Sequence, residues 1–380
     1  MEFKRVREAV DHAIDTRSET GASAVVTKDG EKVFSYSAGL SDAENGVGFT
    51  ENTICRAYSC TKIVTSVCAM QLMERGIIDT ADELAWYIPE FSEAYYPENG
   101  EKRSSPPIRI RDLLNMTSGI PYPWDGREGG DMTTALWQRV DESIRSGHSM
   151  TTQEYAAEAA GCALLYPAGR EWMYGASADI LGAVIEKAAD MPLDEYMKRN
   201  IFDPLGMDDT AFFVPPEKRD RLAVLYEGAG DTLKKPDYVN LCIYDHDRTP
   251  EFRSGGAGLF STAADYSKLG AELSFRKAGI LSGKTIEFMQ KNGLSPEQKT
   301  TFNWDSVKGF GYANLLRILD DPNAAGLLAS EGSFGWDGWT GTFLLCDPKE
   351  HISVTLFLQR AGAGTTRLSR CVVNAVYGGI

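Results

Sequence analysis

Ser59 and Lys62 are the two residues whose types and spacing best fit nucleophilic chemistry. They stand three apart in Ser59-Cys60-Thr61-Lys62, at the start of a largely apolar run. On a helix, residues three apart share a face, so the Lys62 amine can reach the Ser59 hydroxyl. An amine withdrawn from water has a lowered pKa and can accept the serine proton. A serine in a first helical turn also has a backbone N–H that is free to bind an oxyanion.

The S-x-x-K spacing is weak evidence alone, so its surroundings must decide between a catalytic and a structural lysine. Roughly one such pair is expected by chance in a chain of this composition. A second pair, Ser274 and Lys277, occurs in the polar stretch LSFRKAG and is predicted to be solvated. Lys62 instead lies in an apolar run, where an ammonium without a partner is costly. The sequence therefore favours a nucleophilic Ser59 with a Lys62 base, and a hydrogen-bonded structural lysine is the alternative.

Other catalytic patterns do not occur in the sequence. No G-x-G-x-x-G follows a strand, and the glycines of GILSGKT are four apart where a phosphate-binding loop needs five. The histidines form no H-E-x-x-H, no G-x-S-x-G is present, and the seven cysteines lack zinc-site spacing. We predict a reaction that needs no metal and no cofactor.

The elements that must position Ser59 follow from the periodicity of the apolar residues. Residues 2–16 have apolar side chains at helical spacing, which predicts an amphipathic helix. Two strand-like runs, 22–28 and 31–38, flank Asp29-Gly30 and predict an antiparallel hairpin. The apolar run 59–75 ends at Gly76, as a buried helix with a C-terminal glycine does. This helix should be central to the fold.

The rest of the chain divides into a helical middle and a strand-rich end. Short helical patterns lie between Pro and Gly loops in the middle third, and sheet signals return at 311–319, 341–347 and 352–360 before a closing helix at 364–377. We predict an α+β fold whose antiparallel sheet, flanked by helices, is assembled from residues 1–85 and 255–380. Residues 86–254 are predicted to form a mainly helical inserted lobe.

Composition narrows the partners and the compartment. The 380 residues include 54 acidic and 39 basic side chains, and a net charge of -15 repels nucleic-acid phosphates and anionic lipid. The first residues lack the apolar core of a secretory signal, and no apolar run is long enough to span a membrane. The odd number of cysteines suggests no disulfide framework. We predict a cytoplasmic protein with a small-molecule substrate, no nucleic-acid partner and no membrane partner.

Six phrases of the sequence, in order, resemble the serine β-lactamase and DD-peptidase superfamily. The likeness is to its class C β-lactamase-like esterases and penicillin-binding-protein-like hydrolases, and it implies a β-lactamase/transpeptidase-like fold. The phrases are YSCTK (58–62), IRDLLNMTSGI (110–120), YPAGREWMYGASADILGAVIE (166–186), IFDPLGMDDTAF (201–212), SGGAGLFSTAADYSKL (254–269) and FGWDGWTGTFLLCDP (334–348).

The resemblance implies roles for the residues of the first two motifs. Ser59 would be the acylated nucleophile and Lys62 its proton partner. Tyr174, which follows PAGREWM, would be a phenolate-type base or proton shuttle whose pKa is lowered by the nearby ammonium. The backbone N–H groups of Ser59 and Trp339 would form an oxyanion hole.

The third motif, Trp336-Asp337-Gly338, would contact substrate from a strand beside the nucleophile. Gly338 would let the substrate approach the backbone closely. The family commonly has Lys or His where Trp336 stands, so an apolar surface replaces a charge that would bind a substrate carboxylate. Tyr122 and Trp124, in the loop SGIPYPWDG, would either extend that apolar wall or pack within the lobe.

A second departure concerns the motif Tyr-x-Asn, which reads Tyr174-Gly175-Ala176 here and lacks the amide that holds an acylamide substrate. Both departures favour a carboxylesterase that acts on small or short-acyl esters. The alternatives are a β-lactamase, a D-amino-acid amidase or DD-peptidase-type hydrolase, and an acyltransferase that passes the acyl group to an alcohol. A catalytically silent ligand-binding protein is the alternative of a different class.

Overall fold

The computed structural model describes residues 3–123, 126–246 and 248–380. Eight of its strands form one antiparallel sheet in the order β3-β2-β1-β12-β11-β10-β9-β8, and the others form two small pairs, β4 with β7 and β5 with β6. The strands are β1 (Gly21–Lys28), β2 (Glu31–Asp42), β3 (Val47–Gly48), β4 (Cys55–Arg56), β5 (Tyr95–Glu98), β6 (Glu101–Ser104), β7 (Phe260–Ser261), β8 (Phe310–Ala313), β9 (Leu316–Leu319), β10 (Phe334–Asp337), β11 (Phe343–Asp347) and β12 (Ile352–Leu358).

Both ends of the chain contribute to the eight-stranded sheet. Strand β1 lies between its hairpin partner β2 and the late strand β12, where Val25 pairs with Thr355. Every residue of β12 is buried, so both faces of the sheet are covered at its centre. The predicted α+β fold with a large antiparallel sheet is confirmed.

The α-helices of the described residues cover this sheet and fill the middle of the chain. They are α1 (Lys4–Asp15), α2 (Thr61–Glu74), α3 (Ile110–Leu114), α4 (Glu128–Arg145), α5 (Thr152–Ala160), α6 (Ser177–Ala189), α7 (Leu193–Met197), α8 (Asp203–Leu205), α9 (Ala263–Phe275), α10 (Gly283–Met289), α11 (Pro296–Lys299), α12 (Pro322–Ala325) and α13 (Arg367–Tyr377). Helix α9 packs on β1, β11 and β12, while α1 and α13 pack on each other and on the sheet. Among the residues that the structure describes, no helix is long and apolar enough to cross a membrane.

Helix α2 is the central buried helix that the sequence predicts. Its residues from Thr61 to Leu72 are all buried, which explains why apolar side chains surround it instead of forming one stripe. The helix ends where Gly76 takes a φ of 66° and the Ile77 N–H returns to the Leu72 carbonyl. A glycine is suited to this left-handed position because it has no Cβ to clash.

The segment 311–319 departs from a simple strand. It contains the end of β8 and all of β9, joined by Asn314 and Leu315, whose φ values are 54° and 63°. Two left-handed residues in succession make a tight hairpin turn, for which Asn-Gly is the usual sequence. Because leucine stands in the second position here, the sequence did not indicate a turn. Helix α4 and the β5–β6 hairpin were also not predicted. The division into residues 1–85 with 255–380 and a lobe of 86–254 stays a prediction.

Candidate active site

Ser59 lies in a single 3-10 turn, Tyr58–Cys60, that leads directly into α2. The turn is held against the sheet through Ala57, whose carbonyl accepts a hydrogen bond of 2.8 Å from the Thr342 hydroxyl. Thr342 in turn accepts the Gly338 N–H at 2.7 Å through its own carbonyl. These bonds fix the Ser59 turn beside the end of β10, and Ser59 itself is 8% exposed.

Lys62 is completely buried and points at the serine. Its Nζ donates to Ser59 Oγ at 3.2 Å, to the Tyr122 hydroxyl at 3.0 Å and to the Gly256 carbonyl at 2.9 Å. The ring of Tyr174 lies 4.6 Å from the same nitrogen. Burial lowers the pKa of Lys62 to about 7, although the nearby Asp179 carboxylate acts in the opposite direction. An amine with this pKa is partly neutral at pH 7 and can accept a proton.

Asp179 is a site residue that the sequence analysis missed. It is buried in the first turn of α6, and its carboxylate accepts the Ser254 hydroxyl at 2.5 Å and the Gly256 N–H at 3.0 Å. The Tyr122 hydroxyl donates to the same carboxylate at 3.4 Å. Burial raises the pKa of Asp179, and the charge of Lys62 opposes this. The sequence did contain a signal for this residue, because its carboxylate directly precedes the apolar run ILGAVI. An acid buried with such a run needs hydrogen-bond or charged partners, as a buried lysine does.

We expect Asp179→Asn to move the pH dependence of the reaction to lower pH. The carboxylate favours the charged form of Lys62, so its removal should lower the Lys62 pKa further. The asparagine can still accept from Ser254 through its oxygen. The measurement is kcat/KM for an ester between pH 5 and 9, whose acidic limb should shift downward.

The matched control is Asp190→Asn, at the C-terminal end of the same helix. Asp190 has a φ of 49°, a conformation that asparagine also adopts readily, and the side chain is exposed. This variant should keep the wild-type pH profile. An unshifted profile in Asp179→Asn would show that the carboxylate does not control the charge of Lys62.

Tyr174 lies in the loop that precedes α6, with its oxygen between two donors. The Trp336 indole N–H donates to it at 3.1 Å, and a hydrogen bond with Ser59 also favours the ionised phenol. Burial outweighs both bonds and raises the Tyr174 pKa, so the predicted lowering was wrong. Lys62 contacts the face of the Tyr174 ring, whereas the hydroxyl is removed from water. The Tyr174 side chain is therefore a neutral phenol at neutral pH.

Trp336 is packed inside the site and is only 3% exposed. Its ring stacks on Tyr174 with centroids 5.5 Å apart, and the Arg317 guanidinium lies 5.5 Å from the ring centroid. Asp337 pairs with Arg317 at 3.0 Å. The indole therefore serves as a hydrogen-bond donor to Tyr174. The predicted apolar substrate surface at Trp336 did not include this role.

Gly338 stands where no side chain fits. A Cβ there would lie 2.1 Å from Thr342 Oγ1 and 2.3 Å from the Ala57 carbonyl oxygen. This close contact sets the 338–339 segment beside the Ser59 turn, which is the arrangement that two oxyanion donors need.

Of the two loop aromatics, Tyr122 joins the site through Lys62, with its ring 5.7 Å from that of Tyr174. Trp124 lies outside the described residues.

Two neighbouring features do not take part in this chemistry. Cys60, next to the nucleophile, is buried, and burial raises the pKa of its thiol to about 12, so it is unreactive at neutral pH. In residues 3–123, 126–246 and 248–380, no three His, Cys, Asp or Glu side chains gather as metal ligands. The second S-x-x-K pair is not a site either, because Lys277 pairs with Glu31 at the surface. Ser274 is buried, contrary to its predicted solvation, and donates to the Ile352 carbonyl.

The fold and this arrangement of serine, lysine and tyrosine define a serine hydrolase of the β-lactamase and transpeptidase type. The Beta-lactamase family model matches residues 6–371, and the chain belongs to that family. It is 28% identical to Esterase EstB of Burkholderia gladioli, covering 98% of this chain and 94% of the relative. It is 26% identical to Monacolin J acid methylbutanoyltransferase of Aspergillus terreus (strain NIH 2624 / FGSC A1156), covering 81% and 77%. Among solved structures it is similar to EstCE1, a hydrolase with promiscuous acyltransferase activity, with a TM-score of 0.82, 25% identity and coverage of 99% and 98%.

Proposed function

We propose that this protein hydrolyses small or short-acyl carboxylic esters through an acyl-enzyme on Ser59. The observation that carries the proposal is the contact of 3.2 Å between Ser59 Oγ and a fully buried lysine whose pKa is about 7. Such a pair supplies a nucleophile and its base without a histidine.

In the first step, Ser59 Oγ forms a bond to the ester carbonyl carbon while Lys62 takes the hydroxyl proton. The carbonyl oxygen becomes an oxyanion that accepts the N–H groups of Ser59 and Trp339. When the C–O bond to the alcohol breaks, the proton returns to the leaving oxygen. Water then attacks the acyl carbon, gives up a proton to the same groups, and releases the carboxylic acid and free Ser59.

Tyr174 acts in this scheme as a proton shuttle in its neutral form. Its raised pKa suits a phenol that donates to the leaving oxygen and is reprotonated by Lys62. The Trp336 N–H holds the phenol oxygen in place during this exchange. This assignment keeps the shuttle role and drops the phenolate base.

Preference for esters follows from what the site lacks. Ala176 has no amide to hold an acylamide, and the third motif begins with a buried indole instead of a cation. The nearest positive charge behind that indole, Arg317, is already paired with Asp337. The similarity to Esterase EstB and to EstCE1 supports the same preference.

Acyl transfer to an alcohol is the second candidate, and the comparisons favour it specifically. EstCE1 is described as having promiscuous acyltransferase activity, and the Aspergillus relative is a methylbutanoyltransferase. The same acyl-enzyme would react with an alcohol where water reacts in hydrolysis. Transfer requires only that the alcohol reach the acyl carbon before water does.

The test is a paired assay of the purified protein on p-nitrophenyl butyrate and on a chromogenic cephalosporin, with Ser59→Ala as the blank. We expect ester turnover that disappears in the blank, and kcat/KM for the cephalosporin at least about a hundredfold lower, as loss of the substrate-holding polar groups implies. Cephalosporin turnover at an equal rate would establish a β-lactamase instead. An ester product formed when 1-butanol is added would show acyl transfer.

Failure of Ser59 to react at all would overturn the enzymatic proposal. A fluorophosphonate and a fluorescent penicillin, with intact mass as the readout, detect acylation or phosphonylation even when turnover is slow. An unlabelled but folded protein would favour a ligand-binding protein that retains the fold.

A further inference from the structure

A cavity of about 640 Å³ lies beside the residue that precedes the nucleophile. Its walls come from three parts of the chain: the strand and turn at 56–58, the segment 219–225, and the segment 235–245. The volume is within the range of sites that bind small molecules. None of the residues that act in the proposed acylation scheme lines this cavity.

The cavity shares its wall with the proposed oxyanion hole. Tyr58, which lines it, is joined to Ser59 by a peptide bond, and its ring meets the Trp339 ring edge-on at 5.0 Å. Tyr238, another lining residue, has its ring centroid 6.2 Å from that of the same tryptophan. The cavity therefore adjoins the two residues whose N–H groups are proposed to hold the substrate carbonyl.

Tyr58 adopts an unusual backbone conformation for a large residue. Its φ is 44°, in the left-handed region where glycine is favoured. Such conformations persist where the surroundings hold them, and they concentrate at functional sites. Here the conformation belongs to a buried residue that lines the cavity and whose ring contacts that of Trp339.

The lining offers flat and aliphatic surfaces. Three tyrosine rings contribute, from Tyr58, Tyr238 and Tyr244. The Arg56 guanidinium donates to the Ala223 carbonyl at 3.1 Å and to Asp245 at 2.6 Å, so its charge is already paired. The mouth is open, because the Tyr238 ring is 49% exposed. Flat rings and paired guanidinium planes are surfaces on which flat aromatic groups stack.

We propose that this cavity binds a flat aromatic or polycyclic part of the ester substrate. The proposal rests on the ester hydrolysis argued above and extends it to the substrate class: a reacting ester group that carries a bulky flat substituent. The substituent can belong to the alcohol or to the acid, since either end of the ester can point away from Ser59.

Three substrates and two variants test this. The substrates are 2-naphthyl acetate, with the ring on the alcohol, ethyl 2-naphthylacetate, with the ring on the acid, and ethyl acetate, with no ring. Leu225→Trp fills the cavity from a half-buried lining position, and Tyr238→Ala removes the ring at its mouth. We expect each variant to lower kcat/KM for one naphthyl ester by about fivefold or more, the effect of an aromatic contact, and to leave ethyl acetate within about twofold. The affected ester identifies the side that enters the cavity.

Trp86→Ala is the matched control, because Trp86 is 68% exposed and does not line the cavity. It should leave all three substrates unchanged, and thermal unfolding should show that every variant is folded. Equal losses on ethyl acetate and the naphthyl esters, or no loss on either naphthyl ester, would overturn the proposal.

Direct binding separates this proposal from the proposed function. Calorimetry with 2-naphthol and with the 2-naphthylacetate anion needs no turnover. If no ester is hydrolysed but a naphthyl ligand binds and Leu225→Trp abolishes the binding, the ester proposal fails, and the cavity is shown to bind flat aromatic groups of a compound that is not an ester substrate. If neither ligand binds to a protein that hydrolyses ethyl acetate, the cavity proposal fails and the ester proposal stands.

Discussion

Replacing Lys62 with methionine should lower kcat/KM for ester hydrolysis about a thousandfold, the typical contribution of a positioned general base. The side chain that would be lost is the one that donates to Ser59 Oγ at 3.2 Å and whose pKa is about 7. Methionine keeps most of the length and apolar volume. The reaction of wild-type protein should speed up as pH rises through about 7, because only the neutral amine can accept a proton, and the variant's residual rate should lack that rise.

The matched control is Lys277→Met, in the second S-x-x-K pair. Lys277 is 62% exposed and pairs with Glu31, so its removal should leave activity unchanged. If the Lys62→Met protein keeps more than about a tenth of the wild-type kcat/KM, the loss is smaller than expected for removal of a general base. Another group would then accept the serine proton.

The same lysine also links stability to pH. Its pKa in the folded protein, about 7, is lower than the ordinary value of 10.5, so between these pH values the unfolded chain binds more protons at this position. The free energy of unfolding contributed by Lys62 therefore rises with pH from about 7 to 10.5. The difference in unfolding free energy between wild type and Lys62→Met should follow this rise, measured by chemical denaturation at pH 7 and pH 9.

Gly338→Ala should lower the free energy of unfolding by about 2 kcal/mol, the usual cost of forcing extra atoms into a packed site. A Cβ would stand 2.1 Å from Thr342 Oγ1 and 2.3 Å from the Ala57 carbonyl oxygen, so the end of β10 must move away from the Ser59 turn. The next residue is Trp339, whose N–H is proposed to bind the oxyanion. We therefore also expect kcat/KM to fall by about a hundredfold, the loss caused by misplacing one such donor.

Gly48→Ala provides the control for this variant, because a Cβ at Gly48 meets nothing within 4 Å. It should match wild type in denaturation and in activity. A Gly338→Ala protein that loses stability but keeps full kcat/KM would show that Trp339 does not supply an oxyanion donor. Unchanged stability would show that the strand end and the Ser59 turn are not in the close contact described.

Local patterns predicted the elements that surround the nucleophile well. The hairpin at Asp29-Gly30, the helix after Ser59 and its end at Gly76 depend on neighbouring residues, and all are present in the structure. The hairpin around Asn314 and Leu315 was missed, because its left-handed turn contains no glycine. Helix α4, with a strong apolar face but no clear N-terminal signal, was missed as well.

The site was harder to predict wherever it depends on contacts between distant segments. Tyr122 and Gly256 contact Lys62 from two separate segments, and Asp179, from a third segment, accepts hydrogen bonds from both; no local pattern shows that these residues meet. The direction of the Tyr174 pKa shift was predicted wrongly for the same reason. The sequence placed a cation nearby, whereas the degree of burial, which outweighs it, follows from packing. The two-lobe division and the cytoplasmic location stay predictions.

The pairing of β1 with β12 has a consequence for how the protein is made. During synthesis the first hairpin emerges about 300 residues before its partner strand, and the Ser59 turn is anchored through Thr342, which is also synthesised late. Contacts so distant along the chain are slow to form and leave strand edges exposed in the meantime. The nucleophile is therefore set in place only in the last stage of folding, so a chain stopped before Thr342 holds Ser59 and Lys62 without the contact that anchors the Ser59 turn.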